Sequence, residues 1–462
     1  MPTGITRQLA RFCETLKYED LSEEAILSCK RCFIDFIGVA ARGMESGAVE
    51  AILDFTNLTS PGNRFALIGA AKRIGNVQYA ALANGAAAHS LELDDVHEEA
   101  SIHPGVAIYP AALAVGQLQN ITGRTFLLAV TVGYEVSVRL GLGLRPKSCY
   151  ERGFHPTAVC GVFGAAMTAS KILGNTGDGF VNALGIAGSM ASGLHEYQAD
   201  GSWTKRLHAG LASQNGILSA FLASKEFVGP STIIEGREGF LRGFSNNPAP
   251  EEVLKNLGSS FALTDVAHKS HACCRYMHAP IDGLLGIVGE NNLSPEDIKE
   301  VQLGILDIAF PIIVEPILIK RNPGNAVSAQ FSMFYGAAIS IIKRRASLSE
   351  FSEANVHSPE VANLMAKIQC VRAQALDAKF PRAWPASVRV KTFDGRVYER
   401  FIENPRGSRS NPLSWEELVQ KFRYLTDEIY HPRQQDNIVD AVQGLDSSRE
   451  LTHLCDLLSK QR

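Results

Sequence analysis

The sequence predicts a mainly α-helical fold, in which a large all-helical domain is formed by both ends of the chain and carries an inserted smaller α+β domain. Three observations support this prediction. Apolar residues recur three or four positions apart through roughly the first 260 residues. Two alternating runs then meet at Asp394-Gly395, as in a β-hairpin. Helical periodicity returns at Ser414.

The first predicted helix, over residues 22–38, has an apolar stripe that contains Ile26, Cys29 and Phe33, with Ser22 as its N-cap. The segments that follow are rich in alanine and glycine, which lets neighbouring helices approach closely. The further predicted helices span residues 79–90, 106–115, 125–140, 157–170, 178–192 and 207–227.

The middle of the chain changes character near residue 262. Residues 298–310 are rich in β-branched side chains and predict a strand. Residues 386–402 predict a hairpin, because Asp394-Gly395 is typical of a type I′ turn. Residues 328–343 predict a helix between them, so this region is α+β.

The C-terminal region is predicted to return to the helical domain. Ser414 and Glu417 have capping-box spacing at the start of one helix, and a second helix is predicted to begin near Pro432. The chain is therefore divided into a helical part, an inserted α+β domain and a second helical part, with the predicted boundaries 1–262, 263–403 and 404–462.

The charge and cysteine content limit the classes of function. The net charge of −3, from 45 basic and 48 acidic residues, is not that of a nucleic-acid-binding domain. The nine cysteines show no CxxC pair or disulfide framework. No secretory or transit pattern and no uninterrupted apolar span is seen, so we expect a protein with no membrane partner. We expect a cytoplasmic location, with the mitochondrial matrix as the alternative in a eukaryote.

One segment, residues 89–105, concentrates titratable residues directly after an alanine-rich helix. Desolvation and carboxylate–imidazole proximity would shift their pKa values, as acid–base catalysis requires. The alternative is a polar loop that only caps helices. The titratable residues that we single out are His89, Glu92, Asp94, Asp95, His97 and His103.

Two further segments place cations at helix starts. Arg152 and His155 precede a glycine- and alanine-rich helix, whose free N–H groups favour a carboxylate. Lys205 and Arg206 stand at the head of another helix, where they oppose its dipole, which suggests that they bind carboxylates. The alternatives are a structural histidine and a solvated basic turn.

A fourth basic segment lies at the predicted domain junction. It contains Lys269, His271 and Arg275 within residues 268–278.

Together these segments resemble the MmgE/PrpD family, which contains 2-methylcitrate dehydratase, cis-aconitate decarboxylase and iminodisuccinate epimerase. The resemblance covers almost the whole chain. Its markers, in order, are CKRCFIDFIGVAARG, HSLELDDVHEEASIHPG, GYEVSVRLG, GFHPTAVCGVFGAA, GSWTKRLHAGLASQNGILSA, HKSHACCRYMHAPID, AVSAQFSMFYGAA and ENPRGSRSNPLSWEELVQKF.

This resemblance implies a helical domain from both chain ends with an inserted α+β lid, a homodimer, and no metal or organic cofactor. It also implies a lyase that acts on a small polycarboxylate, by dehydration of 2-methylcitrate or another alkylcitrate or by decarboxylation of cis-aconitate. An epimerase of iminodisuccinate-like compounds is the alternative. Elimination beside a carboxylate passes through an enolate-like species, which cations stabilise while histidines move a proton.

Residue roles follow from the same motifs. His103 matches the histidine of the HP motif, His155 that of the GFH motif and Lys205 the lysine of the TKR motif. The predicted catalytic residues are His103, His155, Lys205 and Asp94. The predicted substrate-binding residues are Glu92, Asp95, His97, Arg152, Arg206, Lys269 and His271.

Three departures from the family pattern touch the substrate pocket. Glu92 stands where many members have Asp, and Val96 where several have Thr. Ser270-His271-Ala272 replaces the Tyr-Pro that often follows the lysine matched by Lys269. The identity of the polycarboxylate therefore stays open.

Other classes of function compete for the acidic run. Asp94-Asp95 with Glu98 fits the DDxx(D/E) pattern of isoprenoid synthases, but no second metal-binding motif accompanies it. A metal-dependent enzyme could use His97, His103 and the carboxylates as ligands. A non-catalytic binding protein could keep the pocket without turnover.

Overall fold

The computed structural model describes residues 4–460, and it confirms a mainly α-helical protein. The helices of the first part are α1 (Ile5–Thr15), α2 (Glu23–Gly43), α3 (Gly47–Thr59), α4 (Val77–Ala88), α5 (Gly105–Gln119), α6 (Gly123–Leu144), α7 (Pro146–Glu151), α8 (Pro156–Leu173), α9 (Asp178–Ser189), α10 (Thr204–Ala223), α11 (Phe240–Phe244) and α12 (Pro250–Leu254).

Shorter helices dominate the middle of the chain, and longer ones return at its end. Those of the middle are α13 (His278–Glu290), α14 (Phe310–Ile313), α15 (Ile317–Lys320), α16 (Ala326–Ala329), α17 (Met333–Lys343), α18 (Glu353–Val356), α19 (Pro359–Met365) and α20 (Gln374–Asp377). Those of the end are α21 (Trp415–Thr426), α22 (Pro432–Gln443) and α23 (Leu451–Leu458).

The described strands form two small ladders and one four-stranded sheet. They are β1 (Phe65–Ala66), β2 (Arg73–Ile74), β3 (Val96–His97), β4 (Val266–Ala267), β5 (Ile298–Ile305), β6 (Ile368–Arg372), β7 (Ala386–Thr392) and β8 (Val397–Ile402). β1 pairs with β2 and β3 with β4, both antiparallel. The sheet has the order β6-β5-β7-β8, and only β5 and β6 run parallel.

The helix starts follow the local sequence signals. The Ser22 hydroxyl oxygen accepts a hydrogen bond from the Ala25 N–H and caps α2. Ser414 and Glu417 form the predicted capping box of α21. These bonds satisfy N–H groups that have no acceptor within the helix.

Side chains from both chain ends share one apolar core. Phe33 of α2 packs in the same cluster as Phe422 of α21 and Ile438 of α22. A second apolar core includes one face of the four-stranded sheet, with Val301 of β5 and Val388 of β7 among its buried members. The exact division at residues 262/263 and 403/404 stays a prediction.

Three local predictions are wrong in detail. The strand predicted over 298–310 ends at Ile305, and the helix predicted over 328–343 is interrupted before Ser332, which caps α17. The hairpin turn is not type I′, because that turn needs positive φ at two residues and only Gly395 has it. It is a three-residue loop closed by a bond from Gly395 N–H to Thr392 O.

Two helices, α6 and α8, are long and apolar enough to cross a membrane. In each, 89% of the most apolar window is buried inside the protein. These are the properties of core helices, and α8 packs against α5, α6 and α10.

Glycines allow α4 and α10 to approach closely. A Cβ added at Gly85 would lie only 2.9 Å from Gly210 Cα, and a Cβ added at Gly210 would overlap the carbonyl oxygen of Leu82. This contact matters to the rest of the chain because α10 carries Lys205 at its N-terminus.

We expect Gly210→Ala to lower the free energy of unfolding by about 1–3 kcal/mol, because the new methyl group meets backbone that cannot move aside alone. Gly289→Ala is the matched control. Gly289 is an exposed helical glycine with open space around its Cα, so alanine there should be neutral or stabilise by about 0.5–1 kcal/mol. Urea unfolding measures both, and equal stability of the two variants would contradict the close helix contact.

Candidate active site

A small cavity lies where the segment 89–105, the starts of α8 and α10, and the middle part of the chain meet. Its walls combine titratable groups with aromatic and apolar side chains. They are Glu92, Val96, Ser101, His103, Tyr150, His155, His195, Tyr197, Gln198, Lys205, Cys274, Arg275, Tyr276, Ile312, Phe331 and Trp384.

The loop before α5 enters the cavity with an unusual backbone. Glu92 and Ser101 have φ values of 55° and 50°, a region that non-glycine residues rarely adopt. This backbone conformation is unfavourable for a glutamate, so contacts with the surrounding structure must hold it. The bend turns the Glu92 side chain towards two lysines.

The Glu92 carboxylate binds both of these lysines. One oxygen accepts a short hydrogen bond from Lys205 Nζ, and the other lies 3.1 Å from Lys269 Nζ. All three side chains are buried. Burial would raise the pKa of Glu92, but the two lysines lower it below its ordinary value, so the carboxylate is charged at neutral pH.

Asp94 binds two histidines. Its Oδ2 lies 2.8 Å from His89 Nδ1 and 2.9 Å from His103 Nδ1, while Lys269 Nζ lies 3.7 Å from Oδ1. Burial would raise the pKa of Asp94, but His103, His89 and Lys269 hold it well below its ordinary value. A charged carboxylate beside an imidazole orients the ring and stabilises the imidazolium ion that forms when the ring takes up a proton.

His103 is therefore placed as an acid–base group. Its Nδ1 also lies 2.7 Å from the Asp95 carbonyl oxygen, which can only accept, so Nδ1 carries the hydrogen. The neutral ring then has its lone pair on Nε2, for which no hydrogen bond is found in residues 4–460. Burial lowers the pKa of His103 despite Asp94, which keeps the ring neutral, so that Nε2 can accept a proton.

Further histidines surround this pair. His155 stacks on His89 with ring centroids 5.6 Å apart, and its Nδ1 lies 3.3 Å from His208 Nδ1. His195 lines the cavity beside His155. Burial lowers the pKa of His155 well below its ordinary value, that of His89 and His208 to about 4 and that of His195 to about 3. These rings are neutral at pH 7.

Long-range bonds hold the loop in place. Gln330 Nε2 donates to the carbonyl oxygens of both Leu91 and Ala272, each at 3.0 Å. Lys421 of α21 donates to the Leu93 carbonyl oxygen at 2.8 Å. The β3–β4 ladder joins the same loop to the segment that carries Lys269. The site thus depends on parts of the chain that are more than 300 residues apart.

The structure brings the four predicted catalytic residues together. His103, His155 and Lys205 line the cavity, and Asp94 lies directly behind His103. Of the predicted binding residues, Glu92 lines the cavity, and Lys269 donates a hydrogen bond to the Glu92 carboxylate. The roles of these residues stay predictions.

Five predicted binding residues do not line the cavity and have other partners. Asp95 accepts hydrogen bonds from Tyr134 Oη at 2.6 Å and from the Gly105 N–H at 3.1 Å, and burial raises its pKa to about 7. The His97 ring accepts a hydrogen bond from the Ala100 N–H. Arg152 bonds to Asn246, Arg206 to the Ser90 carbonyl oxygen, and His271 to Asp282.

Several lining residues were missed by the sequence analysis, notably Tyr150, Tyr197, Tyr276 and Trp384. Single aromatic residues such as Tyr150, Tyr197 and Trp384 give no local signal, and Tyr276 stands in the fourth segment without a predicted role. His195 also lines the cavity but lies outside the four polar segments that attracted attention. Arg275 was visible in the fourth segment, although its place in the cavity was not predicted.

His89, Asp94 and His103 could also hold a metal ion, since one ligand atom from each lies within 4.8 Å of the others. If His103 used Nδ1 as a ligand, it would lose its bond to the Asp95 carbonyl oxygen, because a metal-bound nitrogen carries no hydrogen. The arrangement as it stands is better suited to moving protons, since Nδ1 is held as a donor.

Comparison with known proteins identifies the family and several relatives of this chain. Residues 7–253 match the MmgE/PrpD N-terminal domain, and residues 271–447 match the MmgE/PrpD C-terminal domain. The chain is similar over 99% of its length to cis-aconitate decarboxylases of Aspergillus terreus, Mus musculus and Homo sapiens. It is 28%, 27% and 27% identical to them, and the matches cover 96%, 94% and 95% of those proteins.

We expect Glu92→Gln to lower the free energy of unfolding at pH 7 by about 3–5 kcal/mol, because two buried lysines lose their carboxylate. Burial already lowers the pKa of Lys205, and Glu92 opposes that effect. In the variant the pKa of Lys205 should fall further.

The folded variant then binds fewer protons than the unfolded chain. Its loss in free energy of unfolding, relative to the wild type, should therefore shrink as the pH rises from 7 to 9. Urea unfolding at both pH values measures this change. Glu399→Gln, which removes a largely exposed carboxylate, is the control and should cost less than about 1 kcal/mol. A deficit that does not depend on pH would contradict the electrostatic explanation.

Proposed function

Because the chain belongs to the MmgE/PrpD family, we propose that it is a lyase that acts on a small polycarboxylate by acid–base catalysis in this cavity. The observation that carries the proposal is the Asp94–His103 pair, which lines the same cavity as Lys205. We propose alkylcitrate dehydration or cis-aconitate decarboxylation as the reaction. The names of the relatives favour the second.

In the proposed dehydration, His103 Nε2 removes a proton from the carbon beside a carboxylate. Lys205 binds that carboxylate and stabilises the negative charge that develops on it. A protonated histidine, for which His155 is the candidate, gives its proton to the departing hydroxyl group. Asp94 stabilises the His103 imidazolium ion throughout.

In the proposed decarboxylation the first step is loss of CO₂, which leaves its electron pair on the substrate carbon. A protonated His103 then supplies a proton to that carbon. The same residues serve both reactions because both pass through a carbanion beside a carboxylate. Apolar side chains such as Val96, Ile312 and Phe331 give the neutral part of the substrate a complementary wall.

The alternative is epimerisation of an iminodisuccinate-like compound, which needs a proton to be removed on one face of a carbon and returned on the other. His103 and His155 are the candidate pair. The lid role of residues 263–403, the homodimer and the cytoplasmic location also stay proposals.

The experiment that tests the proposal is proton NMR of the EDTA-treated protein in D₂O with 2-methylcitrate, citrate, cis-aconitate and an iminodisuccinate stereoisomer. An olefinic product or loss of an α-proton signal would support acid–base chemistry and identify the reaction. Activity that appears only after Mg²⁺ or Zn²⁺ is added would overturn the metal-independent mechanism in favour of the His89–Asp94–His103 group as a metal site. If no substrate signal changes under any of these conditions, a binding protein without turnover is favoured.

We expect His103→Gln and Asp94→Asn to lower kcat/KM about 10²- to 10⁴-fold, which is the usual contribution of a positioned acid–base group. The substrate identified by NMR serves for the measurement. His453→Gln changes an exposed histidine and should leave kcat/KM unchanged. Near-normal turnover of His103→Gln would exclude His103 as the proton carrier.

We also expect binding of a polycarboxylate to be accompanied by proton uptake. His195 and His155 are neutral in the free protein, and nearby carboxylates favour their charged forms. Affinity should therefore fall as the pH rises from 6 to 8, by up to tenfold per pH unit for each proton taken up. Calorimetry in two buffers of different ionisation enthalpy counts these protons, and proton release would contradict the expectation.

A further inference from the structure

We propose that Arg275 and Trp384 form a second carboxylate-binding subsite in the cavity, which selects substrates that carry a third carboxylate. This inference rests on the proposed function, since it assumes that the cavity binds a polycarboxylate. Both residues belong to the middle part of the chain, whereas His103, His155 and Lys205 come from the first part. The subsite is therefore separate from the acid–base group in sequence and in the elements that support it.

Arg275 presents one N–H₂ group without a protein acceptor. Its Nε donates to Glu98 Oε1 at 2.9 Å, and its Nη1 donates to the Arg406 carbonyl oxygen at 2.9 Å and to His278 Nδ1 at 3.0 Å. Its Nη2 has no partner among the described residues, although the residue is only 3% exposed and lines the cavity. The other bonds fix the guanidinium plane, so Nη2 is held ready for a ligand.

Trp384, which also lines the cavity, carries a second buried donor without an acceptor. Its indole Nε1 can only donate, and it has no acceptor among residues 4–460. The side chain is 3% exposed and stacks face to face on Tyr276, with ring centroids 4.0 Å apart and planes 2° apart. This stacking fixes the direction of the N–H bond independently of any ligand.

Buried donors of this kind are rare, because each loses its hydrogen bonds to water on folding without replacing them. Because both residues line the same cavity, we infer a ligand group there that accepts from both donors. A carboxylate fits, since it has two oxygens that only accept and forms strong bonds with a guanidinium group. A hydroxyl or amide would also bring donors, which Arg275 and Trp384 cannot accept.

The carboxylate contacted here must differ from the one bound at the reacting carbon. Lys205 and Lys269 share Glu92 and lie beside the Asp94–His103 pair, so they serve the reacting end. Arg275 is neutralised by Glu98 rather than by this network. A substrate with three carboxylates could use both groups of donors.

The contribution of this subsite should not depend on pH between 6 and 9. An arginine side chain stays protonated in this range and an indole does not titrate. The histidines differ, because they lose protons as the pH rises and polycarboxylate binding then weakens. A contribution that does not depend on pH therefore distinguishes the subsite from the histidines.

The test is calorimetric binding of tricarballylate, an unreactive tricarboxylate, to the full chain. Glutarate and methylsuccinate, which lack its central and one of its terminal carboxylates, are the comparison ligands. Trp384→Phe keeps an aromatic ring beside Tyr276 and removes the donor together with part of the indole. Trp415→Phe makes the same chemical change at a half-buried position outside the cavity and is the matched control.

We expect the wild-type protein to prefer tricarballylate to at least one of the two dicarboxylates by tenfold or more. Trp384→Phe should weaken tricarballylate binding about fivefold and leave the affinity for that dicarboxylate unchanged. Both effects should be the same at pH 6.5 and at pH 8.5. Arg275→Lys should reduce the same preference, and its melting temperature shows whether the fold is kept. Trp415→Phe should match the wild type.

Two results would overturn the inference in distinguishable ways. If the wild type binds di- and tricarboxylates but Trp384→Phe keeps the full preference, the subsite is excluded and the proposed function stands. If the wild type binds none of the three ligands at millimolar concentration, polycarboxylate binding itself fails and the inference fails with it.

Discussion

Pairing of buried charges is the constraint on which the rest of the site depends. Glu92, Asp94, Lys205 and Lys269 are all at most 5% exposed, and an isolated charge at such depth is very unfavourable. Each carboxylate therefore binds at least two cationic or hydrogen-donating groups. Removing any one of them takes a partner from at least one of the others, so the four residues are linked energetically.

This network explains the elements that surround it. The close approach of α4 and α10, allowed by Gly85 and Gly210, places Lys205 opposite the loop that follows α4. The β3–β4 ladder places the segment of Lys269 beside the same loop. The positive φ of Glu92 costs conformational energy, of order 1–3 kcal/mol. The two ion pairs that the bend makes possible offset that cost.

The histidines show the opposite electrostatic principle. Burial keeps His155, His195 and His208 neutral, and it keeps His89 neutral despite the Asp94 carboxylate beside it. The site therefore combines charged pairs with rings that are neutral in the free protein. The proposed acid–base reaction on a polycarboxylate would use both, because binding needs fixed cations and proton transfer needs groups that can change their charge.

The sequence by itself determined the helical class, the caps at Ser22 and Ser414 and the residues His103, His155, Lys205 and Asp94. Caps and apolar periodicity act over a few residues, and polar residues that interrupt apolar helices are visible without knowledge of the fold. Only the tertiary structure decided that His97 and Arg152 point elsewhere and that Arg275 and Trp384 reach the cavity. The hairpin turn likewise took its three-residue form from the register of β7 and β8. The direction in which a side chain points depends on packing between distant segments, such as α21 against the loop at Leu93, and no local pattern records it.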